Sequence, residues 1–460
     1  MDWSTCYSEG TIGRNRSSLV PRSHFQIDYD RLIFSSPFRR LQSKTQVFPL
    51  PGTAFVHNRL THSLEVASVG RSLGTLAGHF IADHIISSND NQSRHFYNNE
   101  LSNVISAACL AHDVGNPAFG HSGESAISQY FIDHQDSSID DEPLISFFNE
   151  KEWTDLTHFE GNANALRVLT KSYPGKGEGG LGLTKTTLAS ILKYPCESLA
   201  TNKNYIHRKK FGFFQSEKEV FLDITGELGM LIENHMDLLI YKRHPFVYLV
   251  EAADDICYNM IDLEDAHRLG ILQRDRVAEA MFNVIKEICL LSENLHSIER
   301  NYKSLTDDNA AISYLRSKTI NFLVEACADI FKGHVASIIQ GKFESTLMIE
   351  LENEIKALKT IKELSIEKIY RHPSVVEVEM AGYHVISFIL NLFIPAVLTQ
   401  NPSPQQKAAL RLIPLQYSLG MQDADFYSKT MFILDHVAGM TDDFATETYR
   451  KITGIEIARH

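Results

Sequence analysis

Six cysteines (Cys6, Cys109, Cys196, Cys257, Cys289 and Cys327) are spread over 460 residues with no close pair, so neither a disulfide framework nor a thiolate zinc knuckle is indicated. Cationic charge is also short. Lys and Arg total 44 against 57 Asp and Glu, a net charge of −13. That balance argues against a protein whose main task is to coat a nucleic-acid backbone; single-stranded nucleic acid stays open as a partner that the net charge does not indicate. A polyphosphate ligand must then be met by local Arg and Lys side chains or by a metal. Long apolar runs are missing too: stretches such as 385–398 are interrupted or too short to cross a bilayer. The opening MDWSTCYSEG lacks a basic flank followed by an apolar run, so it does not read as a secretion signal. The expected setting is cytoplasmic, with no membrane partner. The glycine-rich stretch YPGKGEGGLG at 173–182 lacks the GKS or GKT ending of a phosphate-binding loop and reads as a flexible connection.

The chain is 43% hydrophobic, enough for a substantial core. Residues 1–58 are polar and Arg-rich, and Pro37, Pro49, Pro51 and Gly52 prevent one long helix there. From Arg59 the pattern changes: Val66, Val69, Leu73, Leu76 and Phe80 recur at spacings of three and four, the mark of an amphipathic helix with one buried face. Leu101, Val104, Ile105, Ala108 and Ala111 repeat that period up to Gly115-Asn116-Pro117. A further helix is expected from His121 to about Phe131, and a long one from Pro245 to about Arg268. Helical patterns continue at 276–292, 320–339, 351–364, 375–398 and 423–439. Residues 133–143 read as a polar loop. Period-two alternation is scarce and no internal repeat stands out, so the fold class is all-α with only minor β structure.

The strongest local signal is Leu110-Ala111-His112-Asp113-Val114-Gly115-Asn116-Pro117. Adjacent helical residues point about 100° apart, but at an end broken by Gly and Pro an imidazole and a carboxylate can converge on one ion. This mixed nitrogen and oxygen pair suits a borderline or hard divalent metal. His62 is a second imidazole candidate; Arg59, three residues before it, shares its face and can place a guanidinium where a phosphate would sit. Taken alone, His62 reads equally as a structural histidine and Arg59 as a surface residue. Glu251, Asp254 and Tyr258 form one polar stripe in an otherwise apolar segment. A carboxylate is costly to bury there without a cation or donors. Asp255 points away from the stripe, which makes Asp254 the better ligand, although these acids could simply face solvent. Two imidazoles and two carboxylates leave room for water on an octahedral ion and favour phosphoester or phosphoanhydride hydrolysis.

Taken together, these blocks resemble the HD-domain superfamily, and specifically the deoxyguanosine triphosphate triphosphohydrolases. The resemblance rests on FRRLQSKTQVFPL from Phe38, RLTHSLEV from Arg59, AHDVGNPAFGHSGE from Ala111, HFEGNA from His158, Lys193-Tyr194-Pro195, EAADDICY from Glu251, Asp262-Leu263-Glu264-Asp265 and Ala438-Gly439-Met440-Thr441-Asp442. It runs from about Asp28 to Arg450. It implies an HD phosphohydrolase helical core with additional C-terminal helices. The implied metal ligands are His62, His112, Asp113 and Asp254, with Mg2+ or Mn2+ as the cofactor.

Arg59, Lys193 and Tyr258 would face the phosphates, Gln46 the base and Asn162 the nucleotide, while His121 and Glu124 resemble the family's catalytic pair. Their i,i+3 spacing lets Glu124 orient the imidazole and favour its protonated form. Whether His121 serves as acid or base is open at this stage, and Glu124 could instead be a helix cap. The implied reaction converts dGTP, and by extension other deoxynucleoside triphosphates, into a deoxynucleoside and inorganic triphosphate. Members often form homo-oligomers. The alternatives are an HD nucleotidase or phosphodiesterase with another nucleotide substrate, or a nucleotide sensor or single-stranded nucleic-acid-binding protein with weak turnover. The expected organisation is a substrate-pocket and oligomerisation segment over 1–58, the HD core over 59–268 and a helical region packed on it over 269–460.

Overall fold

The computed structural model describes residues 1–13, 22–48, 56–173, 178–233, 237–289 and 292–456. Pro49, Pro51 and Gly52, and residues 174–177 of the glycine-rich stretch, lie outside the described residues. The fold is all-α. Among the described residues the only strands are a two-residue antiparallel pair, Ser138–Ile139 with Glu142–Pro143, inside the expected polar loop.

Helix α1 (Arg59–His84) starts at an Asn58 cap whose side chain accepts from the Thr61 N–H while the Thr61 hydroxyl takes the Asn58 N–H. It packs against α2 (Leu101–Ala111) more extensively than any other helix pair. The sequence supplies the reason. A Cβ at Gly78 would overlap the Tyr97 carbonyl oxygen, and one at Gly74 would come within 2.9 Å of the Ser102 Cα. Gly70, Gly74 and Gly78 fall at intervals of four and make the smooth face on which α2 lies. This glycine stripe was not part of the sequence reading.

Helix α3 (His121–Asp133) follows the Gly115-Asn116-Pro117 break, α4 (Gly161–Thr170) lies beyond the hairpin, and α5 (Val247–Arg268) packs on α1. The start of α5 two residues after Pro245 is within the usual boundary uncertainty of a sequence pattern. Helix α6 (Asp308–Ile339) is longer than the 320–339 pattern and covers both α1 and α5. The 351–364 segment is two helices, Leu347–Glu354 and Lys356–Leu364. Ile355 stands between them in extended backbone (φ −110°, ψ 99°), a break that no Gly or Pro announces.

Helix α7 (Pro373–Leu398) begins earlier than its apolar run and packs on α3, α8 (Phe426–Ala438) and α9 (Asp442–Thr453). At 26 residues the whole helix, unlike the 385–398 stretch within it, is long and apolar enough to cross a membrane by length and composition. Half of that apolar window is buried inside the protein, as befits a core helix. Two buried clusters result, one around α1, α2, α5 and α6, the other around α3, α7 and α8. Residues of both groups of helices face one cavity.

Candidate active site and metal centre

The cavity measures about 530 Å³, within the range of small-molecule sites. Its metal end is built from three separate elements. His62 projects from the first turn of α1, His112 from the C-cap of α2 and Asp254 from the middle of α5. His62 Nε2 lies 3.0 Å and His112 Nε2 3.5 Å from Asp254 Oδ1, and one donor atom from each residue falls within 4.8 Å of the others. His112 Nδ1 donates to the Cys109 carbonyl at 2.6 Å, which leaves Nε2 with its lone pair turned inward, the usual way a ligating tautomer is fixed. This set of two imidazoles and a carboxylate, His62 buried and His112 and Asp254 half-buried, fits a borderline or hard divalent cation.

Asp113 sits beside this trio in a different role as placed here. Its Oδ2 accepts from Arg59 Nη1 at 2.8 Å and its Oδ1 from Asn116 Nδ2, while His112 Nε2 is 3.6 Å away. Burial alone would raise the Asp113 carboxyl, yet Arg59 and His112 hold it below its ordinary value. The same opposition, with His112 and the His62 hydrogen bond as the counterweights, keeps Asp254 far below the usual range. Both therefore remain carboxylates. The Arg59 pairing follows from its place on α1, one turn before His62. It draws the guanidinium inward, and Arg59 Nε is buried with no hydrogen-bond partner.

His121 and Glu124 meet as their spacing suggests. His121 Nδ1 is 2.7 Å from Glu124 Oε2, and Glu124 Oε1 accepts the Gly161 N–H at 2.8 Å, so α3 and the start of α4 are fastened through one carboxylate. The imidazole is 81% exposed and the carboxylate 10%, so a solvent-facing ring stands on a fixed acceptor. The Glu124 hydrogen bond, reinforced by the carboxylate charge, raises the His121 pKa. Burial pushes Glu124 up, but His121 and then Lys210 bring it below normal.

Gln46 also lines the cavity, with its Oε1 buried and unpartnered. Asn162 donates to Glu160 at 2.6 Å, and Lys210 pairs with the same carboxylate at 2.8 Å. Lys193 faces the cavity 3.1 Å from Glu251, which also holds Arg243 at 2.7 Å, so Glu251 is a buried, paired acid rather than a solvent-facing one. Asp255 does leave the stripe. It faces a neighbouring cavity, where burial pushes its carboxyl up to about 7. Tyr258 lies in the main cavity, stacked on Tyr370 with centroids 5.6 Å apart and an interplanar angle of 17°. Tyr370 in turn donates to Asp262 at 2.6 Å.

The structure thus brings Gln46, Arg59, His112, Asp113, His121, Glu124, Asn162, Lys193, Asp254 and Tyr258 to one cavity, with His62 directly behind Asp254. Sequence reasoning missed Lys210, present only as the end of a basic run, and Tyr370, which no motif or period marks. Lys44 and Asp442 stood inside recognised blocks without a role.

Comparison with known proteins agrees with this geometry. Residues 59–153 match the HD domain model, and residues 349–451 match the phosphohydrolase-associated domain. A deoxyguanosinetriphosphate triphosphohydrolase-like protein of Synechocystis sp. is 37% identical over 99% of this chain and 100% of its own length. Its counterpart in Pseudomonas aeruginosa is 35% identical over 99% of both. The chain belongs to the deoxyguanosinetriphosphate triphosphohydrolase-like family. A deoxyguanosinetriphosphate triphosphohydrolase of Yersinia enterocolitica is also similar, 28% identical over 94% of each chain. As a member of this HD-domain family, the chain is a hydrolase with a divalent-metal type of site.

Proposed function

We propose that this chain hydrolyses dGTP, and to a lesser degree other deoxynucleoside triphosphates, to the deoxynucleoside and inorganic triphosphate. The observation that carries the reading is the set of groups gathered around one cavity. Gln46 brings an acceptor and Arg59 a donor that have no protein partner, Arg59 beside the imidazole and carboxylate cluster, and His121 lines the same space. A purine with N–H donors and a chain of phosphates would use all three.

His62, His112, Asp254 and Asp113 would hold a divalent cation, Mg2+ or Mn2+, which when bound would supply Lewis acidity to offset phosphate charge and to activate water. Arg59 binds the non-transferring oxygens with charge-assisted hydrogen bonds, and Lys193 and Lys210 neutralise the rest of the phosphate chain. Water adds to the α-phosphorus as the bond from that phosphorus to the 5′-oxygen breaks. The triphosphate leaves as one unit with the water oxygen. Glu124 favours the protonated form of His121, whose Nε2 gives its proton to the departing 5′-oxygen, while the proton shed by the attacking water passes to solvent and so restores the imidazolium. Tyr258, held flat by Tyr370, crowds C2′ and disfavours a ribose hydroxyl, which an apolar wall alone would reject weakly.

In this reading, 1–58 supplies the base end through Gln46, 59–268 the metal and proton chemistry, and 269–460 the backing through Tyr370. Cytoplasmic location and assembly as a homo-oligomer belong to the same proposal. The test is incubation of the metal-loaded protein with the four deoxynucleoside triphosphates and GTP, identifying both products. Deoxyguanosine with inorganic triphosphate, and little turnover of GTP, is expected. Monophosphate with pyrophosphate, or release of orthophosphate, would overturn the assignment.

A further inference from the structure

We infer that Asp442 is a positioning residue: its carboxylate clamps the Gln46 segment to the Phe119-Gly120 turn and so sets the base end of the cavity against His121. Asp442 opens α9 from the C-terminal region, yet its two oxygens are spent on backbone far away in sequence. Oδ2 accepts the Thr45 N–H at 2.8 Å and Oδ1 the Phe119 N–H at 2.9 Å. The side chain is 6% exposed.

What lies on either side of the two amides gives the clamp its consequence. Thr45 immediately precedes Gln46 and bridges Asn58, the cap of the helix that carries Arg59 and His62. Phe119 and Gly120 immediately precede His121. Phe119 has φ +60° and Gly120 φ +56°. A phenylalanine does not choose that left-handed backbone unaided, so the turn that aims α3 persists because its surroundings hold it. Asp442 is the hydrogen-bond partner of the strained residue's own N–H. The Phe119 ring is pressed against Gly382 of α7, where a Cβ would strike it, and a Cβ on Gly120 would come to 2.5 Å from Arg59 Nη2.

A second contact of opposite sign braces the same three segments. Buried Lys44 donates to the carbonyls of Asn116 at 2.5 Å and Ala438 at 2.8 Å. One carboxylate holding two N–H groups and one amine holding two carbonyls therefore lock residues 44–46, 116–120 and 438–442 together. Small displacements of reacting groups cost large factors in rate, so a joint of this kind can govern turnover without touching substrate.

The inference rests on the dGTP reading for its kinetic consequence, and the test separates the two. Asp442→Asn keeps size and shape but offers an amide N–H to one of two amide donors. In the full-length, metal-loaded protein we expect kcat with dGTP to fall by about 10- to 100-fold. The preference for dGTP over dATP should narrow, and hydrogen exchange should quicken in peptides covering 41–48 and 116–122 but not in α1 or α5. A purely structural role would lower the amount of folded protein without moving base preference. Unchanged kcat and preference, or lost activity with both peptides exchanging as before, would overturn the clamp. If the variant does not fold, the wild-type protein decides: the Thr45 and Phe119 amides must both exchange slowly, and fast exchange at either refutes the inference. Failure of the wild-type chain to release triphosphate would sink the functional reading and leave this exchange test standing.

Discussion

Arg167, Glu217 and Asp435 form one buried ionic cluster; Arg59, Asp113, His62, His112 and Asp254 form another. In the first, Arg167 Nε and Nη2 reach the two Asp435 oxygens at 2.6 and 2.9 Å, while Nη1 meets Glu217 at 2.7 Å and Ser216 at 2.9 Å. The cluster ties α4 to α8 and turns all its strong donors on the protein itself. In the second, Arg59 spends Nη1 on Asp113 and keeps Nε unpaired, and two imidazoles crowd one carboxylate oxygen. Each gathers carboxylates around an arginine, but the first is sealed, with side chains at most 3% exposed, whereas Asp254 in the second is 32% exposed. They differ in valence as well: a saturated cluster fixes structure, and an unsaturated one that faces a cavity is left with capacity for a ligand.

The comparison breaks first if the two clusters respond alike to losing one member. Asp113→Ala should cut triphosphate release by about 10³-fold or more while thermal unfolding moves by only a few degrees. Near-normal turnover in a metal-controlled assay would remove Asp113 from the chemistry. Arg167→Met should do the reverse. It leaves Glu217 and Asp435 buried without their cation, at a cost of about 3 to 5 kcal/mol in urea unfolding, with turnover per folded molecule little changed. Intact stability would mean that this cluster is not structural.

His121 sharpens the contrast between holding a metal and moving a proton. His121→Gln should lower kcat by about 10²-fold with metal content unaltered by elemental analysis. A parallel loss of metal would place His121 among the ligands instead. The smallest effect concerns a buried imidazole outside both clusters. His244 pairs with the Cys6 carbonyl at 2.8 Å, and burial pushes its pKa down to about 4. The unfolded chain, with a pKa of about 6.5, takes up a proton that the folded chain refuses, so stability falls as pH drops from about 6.5 towards 4. At pH 5 the loss is about 2 kcal/mol, read as a shift in urea midpoint between pH 7 and pH 5. His244→Gln should flatten that slope; an unchanged slope would show that His244 is not its source.

The donors of the open cluster were legible one at a time. A carboxylate at Asp254 on an apolar helix, and an imidazole next to a carboxylate at a helix break, are costly placements that call for compensation. Their meeting was not legible from periodicity, because His62 and Asp254 are 192 residues apart and only the resemblance joined them. The helices on either side followed from the three-and-four pattern, whereas the break at Ile355 did not, since an isoleucine carries no turn signal. Tyr370 and Lys210 reach the cavity through packing alone. Asp442 stood in a recognised block, but a side chain that binds backbone amides leaves no mark on the residues it holds.

The central claim is that the open cluster directs water to the α-phosphorus, and the path of the water oxygen tests it most directly. Turnover of dGTP by the metal-loaded protein in water enriched in heavy oxygen should put one labelled oxygen in the inorganic triphosphate and none in the deoxyguanosine, read by mass spectrometry of both products. Label in the deoxyguanosine, or label appearing in orthophosphate or pyrophosphate, would contradict it.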